Sequence, residues 1–180
     1  MKSKTVSETF TVMTELVLPN ESNNLGNLMG GQLMYWMDVV SAISAQRATH
    51  RTVVTVAVDF VEFKASIPKG AVVILEAKVT RCFNTSLEVK IDVFYEILST
   101  GEKKPSNSAY FTFVAVDQGG RPIPVTEVLP ETAAEKELYE GALRRRELRM
   151  LLAGRIKPED ARGLQELLQG AGKKTKPEAD

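Results

Sequence analysis

The spacing of hydrophobic residues predicts one long buried helix near the start of the chain. Over residues 31–47, large apolar side chains recur every three or four positions, as on one face of an α-helix: Leu33, Trp36, Met37, Val40 and Ile43. The other side is apolar or small rather than charged: Met34, Ser41, Ala42 and Ala45. Because almost no face carries charge, we expect the helix to be largely buried.

Segments typical of β-strands flank this helix. A first run, at residues 9–17, precedes it, and four longer runs follow at residues 52–63, 71–83, 86–98 and 108–117. Short stretches rich in Gly, Pro, Asn and Ser separate the later runs. Such short connections require antiparallel pairing, since a parallel crossover needs a dozen or more residues. The sequence therefore predicts an α+β fold, with four antiparallel strands that can wrap the helix.

Polarity alternates most clearly in the stretch "LEVKIDVFYEI". Its odd-numbered positions are apolar: Leu87, Val89, Ile91 and Val93. Its even-numbered positions are charged: Glu88, Lys90 and Asp92. Since successive side chains of a strand point to opposite faces, we expect one buried face and one solvated face.

The composition changes after residue 130 to Glu, Lys, Arg and Ala. The stretch "EKELYEGALRRRELRMLL" combines opposite charges and apolar residues at helical spacing, which predicts an amphipathic helix outside the core. A second helical stretch is expected at residues 161–168. We divide the chain into a domain at 1–130, a helical extension at 131–170 and a disordered tail at 171–180.

Composition excludes several classes of function. The 180 residues suffice for one domain with an appendage, and 23 basic side chains balance 23 acidic ones, so no overall field attracts nucleic acid or an anionic membrane. The basic run "RRRELR" is interleaved with glutamates, as on a solvated helix face. Without a signal peptide or a long apolar span, the protein is expected to be cytoplasmic and not inserted in a membrane.

The single cysteine, Cys82, and the single histidine, His50, restrict the chemistry further. One of each cannot form an ordinary zinc site, so no metal is expected. An internal disulfide is also excluded. Cys82 is interpreted as strand packing rather than as a nucleophile, because His50 is the only imidazole that can activate it.

The stretch "NNLGNLMGGQLMYWMD" contains the candidate chemistry. A carboxylate within a buried helix is costly without a partner, so Asp38 is paired, neutral or in a wetted cleft; a plain hydrogen bond to a neighbouring strand is the alternative. Gly30 and Gly31 leave N–H groups at the helix start open to a carbonyl oxygen, or they merely make the loop flexible. Asn23 and Asn24 are turn residues, or one of them holds a carbonyl or a water.

Helix geometry separates these groups within one chain. Asp38 follows Gly31 by seven positions, which is roughly 10 Å at 1.5 Å per residue. Asp38 therefore cannot easily serve a carbonyl bound at the start of its own helix. It can serve one held by a second copy of the chain, which suggests a site shared across a dimer.

The same stretch, followed by "RTVVTVAVDFVEF", "IPKG", "NTSLEVKIDV" and "SAYFTFVAVDQGGRPIPVTEVLPET", resembles the hotdog-fold acyl-CoA thioesterases. The resemblance implies a long central helix wrapped by a curved antiparallel sheet, pairing into dimers and then hexamers. It implies hydrolysis of fatty acyl-CoA to a free acid and coenzyme A, without a cofactor beyond the coenzyme A of the substrate. The family's catalytic asparagine and aspartate fall on Asn23 and Asp38.

The resemblance also assigns supporting roles. Gly30 and Gly31 polarise the carbonyl, and Asp38 acts as general base on water or as a nucleophile that forms an anhydride. Residues bordering coenzyme A lie on the strand after the helix and near the following hairpin, with two cations for its phosphates: Val54, Thr55, Val56, Thr85, Ser86, Lys64 and Arg81. Lys103 and Lys104 are further phosphate candidates.

Two departures and two alternatives remain. Relatives often end the helix with Arg-His, whereas here Ala48 follows Arg47 and the imidazole comes later, at His50. The segment beyond residue 148 has no counterpart in the resemblance. A hotdog dehydratase would need a histidine paired with a carboxylate, which the local pattern does not provide. A module that binds acyl-CoA without hydrolysing it is the other alternative.

Overall fold

The computed structural model of the protein describes residues 3–59 and 61–173, with side chains up to residue 167. The chain divides into two compact units, with the boundary between Glu131 and Thr132. The first unit contains β1 (Lys4–Thr5), β2 (Thr11–Leu16), α1 (Gly30–Thr49), β3 (Thr52–Asp59), β4 (Val72–Cys82), β5 (Ser86–Ile97), β6 (Glu102–Val116) and β7 (Val128–Leu129). The second contains α2 (Ala133–Leu152) and α3 (Arg162–Lys173).

Five strands form one sheet in the order β2-β4-β5-β6-β3, and every pair in it is antiparallel. Helix α1 packs against the sheet, chiefly against β4, β5 and β3. β1 and β7 pair in parallel as a separate short ribbon. The predicted α+β architecture, with one long helix against antiparallel strands, is confirmed.

Helix α1 buries the face that the periodicity indicated. Leu33, Trp36, Met37 and Val40 are almost fully buried, but Ile43, which shares their spacing, is 40% exposed. Small residues instead complete the buried face beyond Val40: Ser41, Ser44, Ala45 and Ala48. Small side chains let the backbone of the helix approach the sheet more closely than a branched side chain would.

The alternation along β5 is confirmed on its apolar face. Leu87, Val89, Ile91 and Val93 are no more than 1% exposed. The expectation that the charged face is solvated is wrong for Glu88, which is only 2% exposed. The hydroxyl of Thr80 donates a 2.5 Å hydrogen bond to Glu88 Oε1, which offsets part of the cost of burying a carboxylate.

Two strand boundaries differ from the prediction because of irregular pairing. β6 begins at Glu102, six residues before the predicted position 108, because Pro105 is accommodated opposite Phe94 where the register shifts. A proline is tolerated at such a bulge although it has no N–H to donate. β3 ends at Asp59 rather than at residue 63; residue 60 lies outside the described residues.

The second unit begins with a well-defined helix start. Thr132 accepts a hydrogen bond from the Glu135 N–H at 3.2 Å, and the Glu135 carboxylate accepts from the Thr132 N–H at 3.0 Å, which is the reciprocal capping box. The predicted amphipathic helix is confirmed as α2, and the second helical stretch as α3, which continues to Lys173. Residues 174–180 of the expected tail lie outside the described residues.

Among the described residues, none of the helices combines the length and the apolarity that a membrane crossing requires.

Truncation of one central side chain tests the core. Ile91 is completely buried in β5, so Ile91→Ala removes apolar contacts and leaves a cavity. We expect a loss of about 2–5 kcal/mol in the free energy of unfolding, measured by denaturant titration. Leu25→Ala is the control, because Leu25 is 85% exposed and its truncation should change stability by less than about 0.5 kcal/mol. Equal effects of the two changes would contradict the assigned core.

Candidate active site

The loop that precedes α1 is a tight turn built around Asn23. The Asn23 N–H donates to the Asn27 carbonyl at 2.7 Å, and the Gly26 N–H donates to the Asn23 carbonyl at 2.9 Å. Gly26 has a φ of +73°, in the left-handed region where side chains are disfavoured and glycine is not. The turn brings both ends of the segment together just before the helix starts.

The side chain of Asn23 takes part in this turn through its oxygen only. Asn23 Oδ1 accepts hydrogen bonds from the N–H groups of Leu25, at 2.9 Å, and Asn27, at 3.2 Å. Those two backbone donors fix which end of the amide is the oxygen, because a backbone N–H needs an acceptor. In the described part of the chain, the Nδ2 amide has no partner. Asn23 is thus a turn residue that also offers a hydrogen-bond donor.

The first turn of α1 offers further donors. Met29 precedes the helix in an extended conformation, and its side chain does not cap the helix. The N–H groups of Gly30, Gly31 and the next residue have no helical acceptor, as at any helix start. Gly31 is exposed, and a Cβ built on it would meet no atom within 4 Å. This end of the helix also carries the positive end of its dipole.

A cavity of about 200 Å³ brings Asn23 and Gly30 together. Its remaining lining mixes apolar side chains with a few polar ones: Asn27, Leu28, Leu33, Phe63, Lys64, Ala65, Ser66 and Ile67. Lys64 forms an exposed ion pair with Glu62, at 3.0 Å between Nζ and Oε2. The cavity therefore places one cation beside the amide of Asn23 and the helix start.

Asp38 lies elsewhere on the same helix. It is half-buried and does not line this cavity. The Thr55 hydroxyl of β3 donates to Asp38 Oδ1 at 2.6 Å. Oδ2 of Asp38 has no partner among the described residues, so one carboxylate oxygen is oriented and the other is available.

A bulge in β3 explains why Thr55 faces the helix. Thr55 lies opposite Phe113, and Val58 lies opposite Phe111, with a register shift between Thr55 and Ala57. Residues directly opposite each other share a face of the sheet, and both phenylalanines are buried in the core. Thr55 is thus the last residue of β3 on the helix face before the bulge changes the alternation.

The other residues assigned to coenzyme A lie along two neighbouring parts of the sheet. Val54 and Val56, on β3, are 44% and 55% exposed. Val54 and Ser86 both lie opposite Val114 of β6, so they are about 10 Å apart at the usual strand spacing. Ser86 itself is buried, whereas Thr85 is half-buried beside it.

The candidate phosphate partners are dispersed. The guanidinium of Arg81 lies 5.5 Å from the centre of the Phe83 ring, near the hairpin that contains Thr85. Lys103 pairs with Glu76 at 3.6 Å, and Lys104 with Glu102 at 3.0 Å. These two lysines lie about 30 Å along β6 from the row of Thr55, at 3.3 Å per residue. One protomer does not bring them to the same site.

Matches with known proteins identify the family of the chain. A family model described as "Thioesterase superfamily" matches residues 25–99. The chain is 40% identical over 138 residues to an uncharacterized acyl-CoA thioester hydrolase of Bacillus subtilis, covering 77% of this chain and 80% of that protein. The chain belongs to the thioesterase superfamily.

Solved structures add the fold and the chemistry. An apo-hexameric acyl-CoA thioesterase has a TM-score of 0.81 at 39% identity, covering 85% of this chain and 98% of that one. An acyl-CoA hydrolase from Staphylococcus aureus, solved with butyryl coenzyme A, coenzyme A and coenzyme A disulfide, has a TM-score of 0.79 at 29% identity, covering 93% and 99%. This thioesterase has the hotdog fold and is an acyl-CoA thioester hydrolase.

The Staphylococcus aureus hydrolase has also been solved as variants. In three structures an asparagine, an aspartate or a threonine is replaced by alanine.

Sequence reasoning missed two features of the thioesterase site. It assigned Thr55 to coenzyme A and did not predict that the Thr55 hydroxyl donates a hydrogen bond to Asp38. It included Phe63 in a strand, whereas Phe63 lies in an irregular segment and lines the cavity with Gly30. Alternation along residues 52–63 carried no signal for either, because both depend on where β3 bulges and ends.

His50 and Cys82 lie outside this arrangement. His50 ends α1 in a left-handed conformation, with a φ of 51°, and its Nε2 lies 2.8 Å from Lys4 Nζ. It is at the opposite end of α1 from Gly30. Cys82 is buried in β4, and burial raises the pKa of its thiol to about 12.

The raised pKa of the Cys82 thiol predicts how its reactivity and the stability of the protein depend on pH. At pH 8 the folded protein should react with a thiol reagent far more slowly than the unfolded chain, because only the thiolate reacts. An acid whose pKa is raised by folding stabilises the native state at low pH, so stability should fall as pH rises from about 9 towards 12. Rapid labelling of the native protein at pH 8 would contradict the burial of Cys82.

Proposed function

We propose that this thioesterase hydrolyses fatty acyl-CoA to a free fatty acid and coenzyme A at a site shared by two protomers. The observation that carries the proposal is the separation of the two halves of the chemistry. Asn23 and Gly30 line one cavity, whereas Asp38 lies outside it and is oriented by Thr55. A second copy of the chain supplies the missing half.

In this proposal, the thioester carbonyl is polarised by donors at the cavity. Asn23 and Gly30 line the cavity, whereas Gly31 follows at the helix start outside its lining. The Nδ2 amide of Asn23 and the N–H groups of Gly30 and Gly31 are the donors assigned to the carbonyl oxygen. A thioester oxygen gains negative charge as its carbonyl carbon is attacked, and fixed donors stabilise that charge without having to reorganise. Because Oδ1 of Asn23 already accepts two backbone hydrogen bonds, Asn23 acts through Nδ2, which donates to the carbonyl oxygen, rather than through Oδ1 as an acceptor for water.

Asp38 activates water in this scheme. Its oriented carboxylate takes a proton from a water molecule, and the resulting hydroxide attacks the thioester carbon. The tetrahedral intermediate collapses, the carbon–sulfur bond breaks, and the departing sulfur receives the proton from Asp38. The alternative route has Asp38 attack the carbonyl and form an anhydride that water then hydrolyses.

The unpaired edge of the sheet supports assembly through β3. In the described chain β3 pairs with β6 only, and its other edge has no strand partner. The strand itself exposes apolar side chains, with Val54 44% and Val56 55% exposed. Pairing of two β3 strands would extend the sheet and satisfy the open edge. Since similar thioesterases are hexameric, we propose a homo-oligomer built from such dimers.

The variants of the Staphylococcus aureus hydrolase support these assignments. The asparagine and the aspartate replaced there are fifteen residues apart, and the threonine follows the aspartate by seventeen. Asn23, Asp38 and Thr55 have the same two spacings in this chain. The correspondence supports a positioning role for Thr55, whose hydroxyl orients Asp38.

Replacing the proposed base tests the reaction. Asp38→Asn keeps the shape of the side chain but cannot accept a proton, so we expect kcat for butyryl-CoA and longer acyl-CoAs to fall about 10²–10⁴-fold. The readout is release of free thiol. Thr55→Ser, which keeps the hydroxyl, should retain most activity, while Thr55→Val should lose part of it. Tight acyl-CoA binding by the native protein without turnover would instead favour a binding module.

Mixing two inactive variants tests the shared site. Asn23→Ala and Asp38→Ala should each be inactive as homodimers. A heterodimer of the two has one intact site, so random exchange of subunits should restore roughly a quarter of wild-type activity. No recovery in a sample where mass spectrometry confirms heterodimers would show that each site lies within one chain.

A further inference from the structure

Phe63 covers the start of α1 although its ring is 55% exposed. A Cβ built on Gly30 would lie 3.4 Å from Cζ and 3.5 Å from Cε1 of Phe63. The ring therefore contacts the helix at the place where any residue other than glycine would put its side chain. It also lines the cavity that contains Asn23. Phe63 thus borders the space in front of the open donors.

The backbone around Phe63 is held although it is irregular. The Nδ2 amide of Asn107 donates to the Glu62 carbonyl, just before Phe63. The Ser106 hydroxyl donates to Oδ1 of the same Asn107 and so orients its amide, and it lies 3.4 Å from the Ala65 carbonyl, two residues after Phe63. The backbone before Phe63 is therefore held to β6 through Asn107. The ring, in contact with Gly30, forms one wall of the cavity.

The chemistry of a thioester places the acyl group against this wall. The donors bind the carbonyl oxygen, and the first acyl carbon is attached to that same carbonyl. Whatever lies beside the donors therefore contacts the acyl carbons nearest the thioester. A cavity of about 200 Å³ is only slightly larger than one that admits a benzene ring, of order 150 Å³. A branch at the first acyl carbon would have to occupy this volume beside the ring.

We propose that Phe63 determines specificity by excluding acyl groups that are branched next to the thioester. The inference depends on the proposed carbonyl site at Asn23 and Gly30 and adds a substrate class to it. Unbranched acyl-CoAs pass the ring, while a methyl branch at the carbon adjacent to the carbonyl collides with it. Truncation of the ring removes the collision and leaves the donors unchanged.

The test compares butyryl-CoA with isobutyryl-CoA, which have the same composition and differ only in branching. For Phe63→Ala, we expect the ratio of kcat/KM for the branched substrate to kcat/KM for the straight one to rise about tenfold or more. One methyl group in an apolar pocket typically changes discrimination between substrates by about this factor. Phe63→Leu should give an intermediate ratio. Phe10→Ala is the matched control, because Phe10 is 43% exposed and its carbonyl contacts Arg47 at the other end of α1.

The outcomes separate this inference from the proposed function. An unchanged ratio in both Phe63 variants, with straight-chain turnover intact, would overturn the role of Phe63 alone. Absence of turnover by the wild-type protein on every acyl-CoA would overturn the proposed function together with it. Light scattering on each variant reports the assembly. Dissociation of both variants with an unchanged ratio would mean that the ring packs against another protomer instead.

Discussion

The fixed rise of α1 governs the arrangement of the site. A helix of 20 residues lies against the sheet, and a buried helix cannot bend enough to bring its first turn to its middle. Donors at Gly30 and Gly31 and the carboxylate at Asp38 are therefore held apart by roughly 10 Å. That separation makes each half of the chemistry incomplete by itself and gives the proposed reaction a requirement for a second chain.

The bulge in β3 has a comparable influence on the other half. Without it, the strand would keep one alternation throughout, and either Thr55 or Val58 would point away from α1. With it, the Thr55 hydroxyl reaches Asp38 while Val58 still lies opposite Phe111 on the core face.

Much of this organisation follows from the sequence, and the exceptions have physical causes. Periodicity located α1 and the buried face of β5, because both reflect repeated burial on one side. It did not reveal the burial of Glu88, since a charged side chain on a strand gives no sign that a hydroxyl, here that of Thr80, is available to bond it. The predicted strand at residues 108–117 started too late, because the paired strands accommodate Pro105 at a register shift.

The candidate site also contains some residues that the sequence indicated and others that only the structure shows. Asn23, Gly30 and Asp38 stood out in one short stretch of sequence, but Thr55 and Phe63 depend on contacts across tens of residues. Nothing local in residues 52–63 distinguishes a hydroxyl that meets a carboxylate from one that meets solvent. Likewise, only the end of β3 at Asp59 frees Phe63 to turn towards Gly30.

The turn that orients Asn23 has a consequence for heat sensitivity. It is a five-residue segment at the surface, closed by a few backbone hydrogen bonds and by a glycine at positive φ. Small surface segments open with far less free energy than a core sheet needs to unfold. Once this turn opens, the backbone donors no longer hold Oδ1 of Asn23, and its amide loses its fixed orientation. On heating, activity would then be lost at a lower temperature than the one at which the five-stranded sheet unfolds.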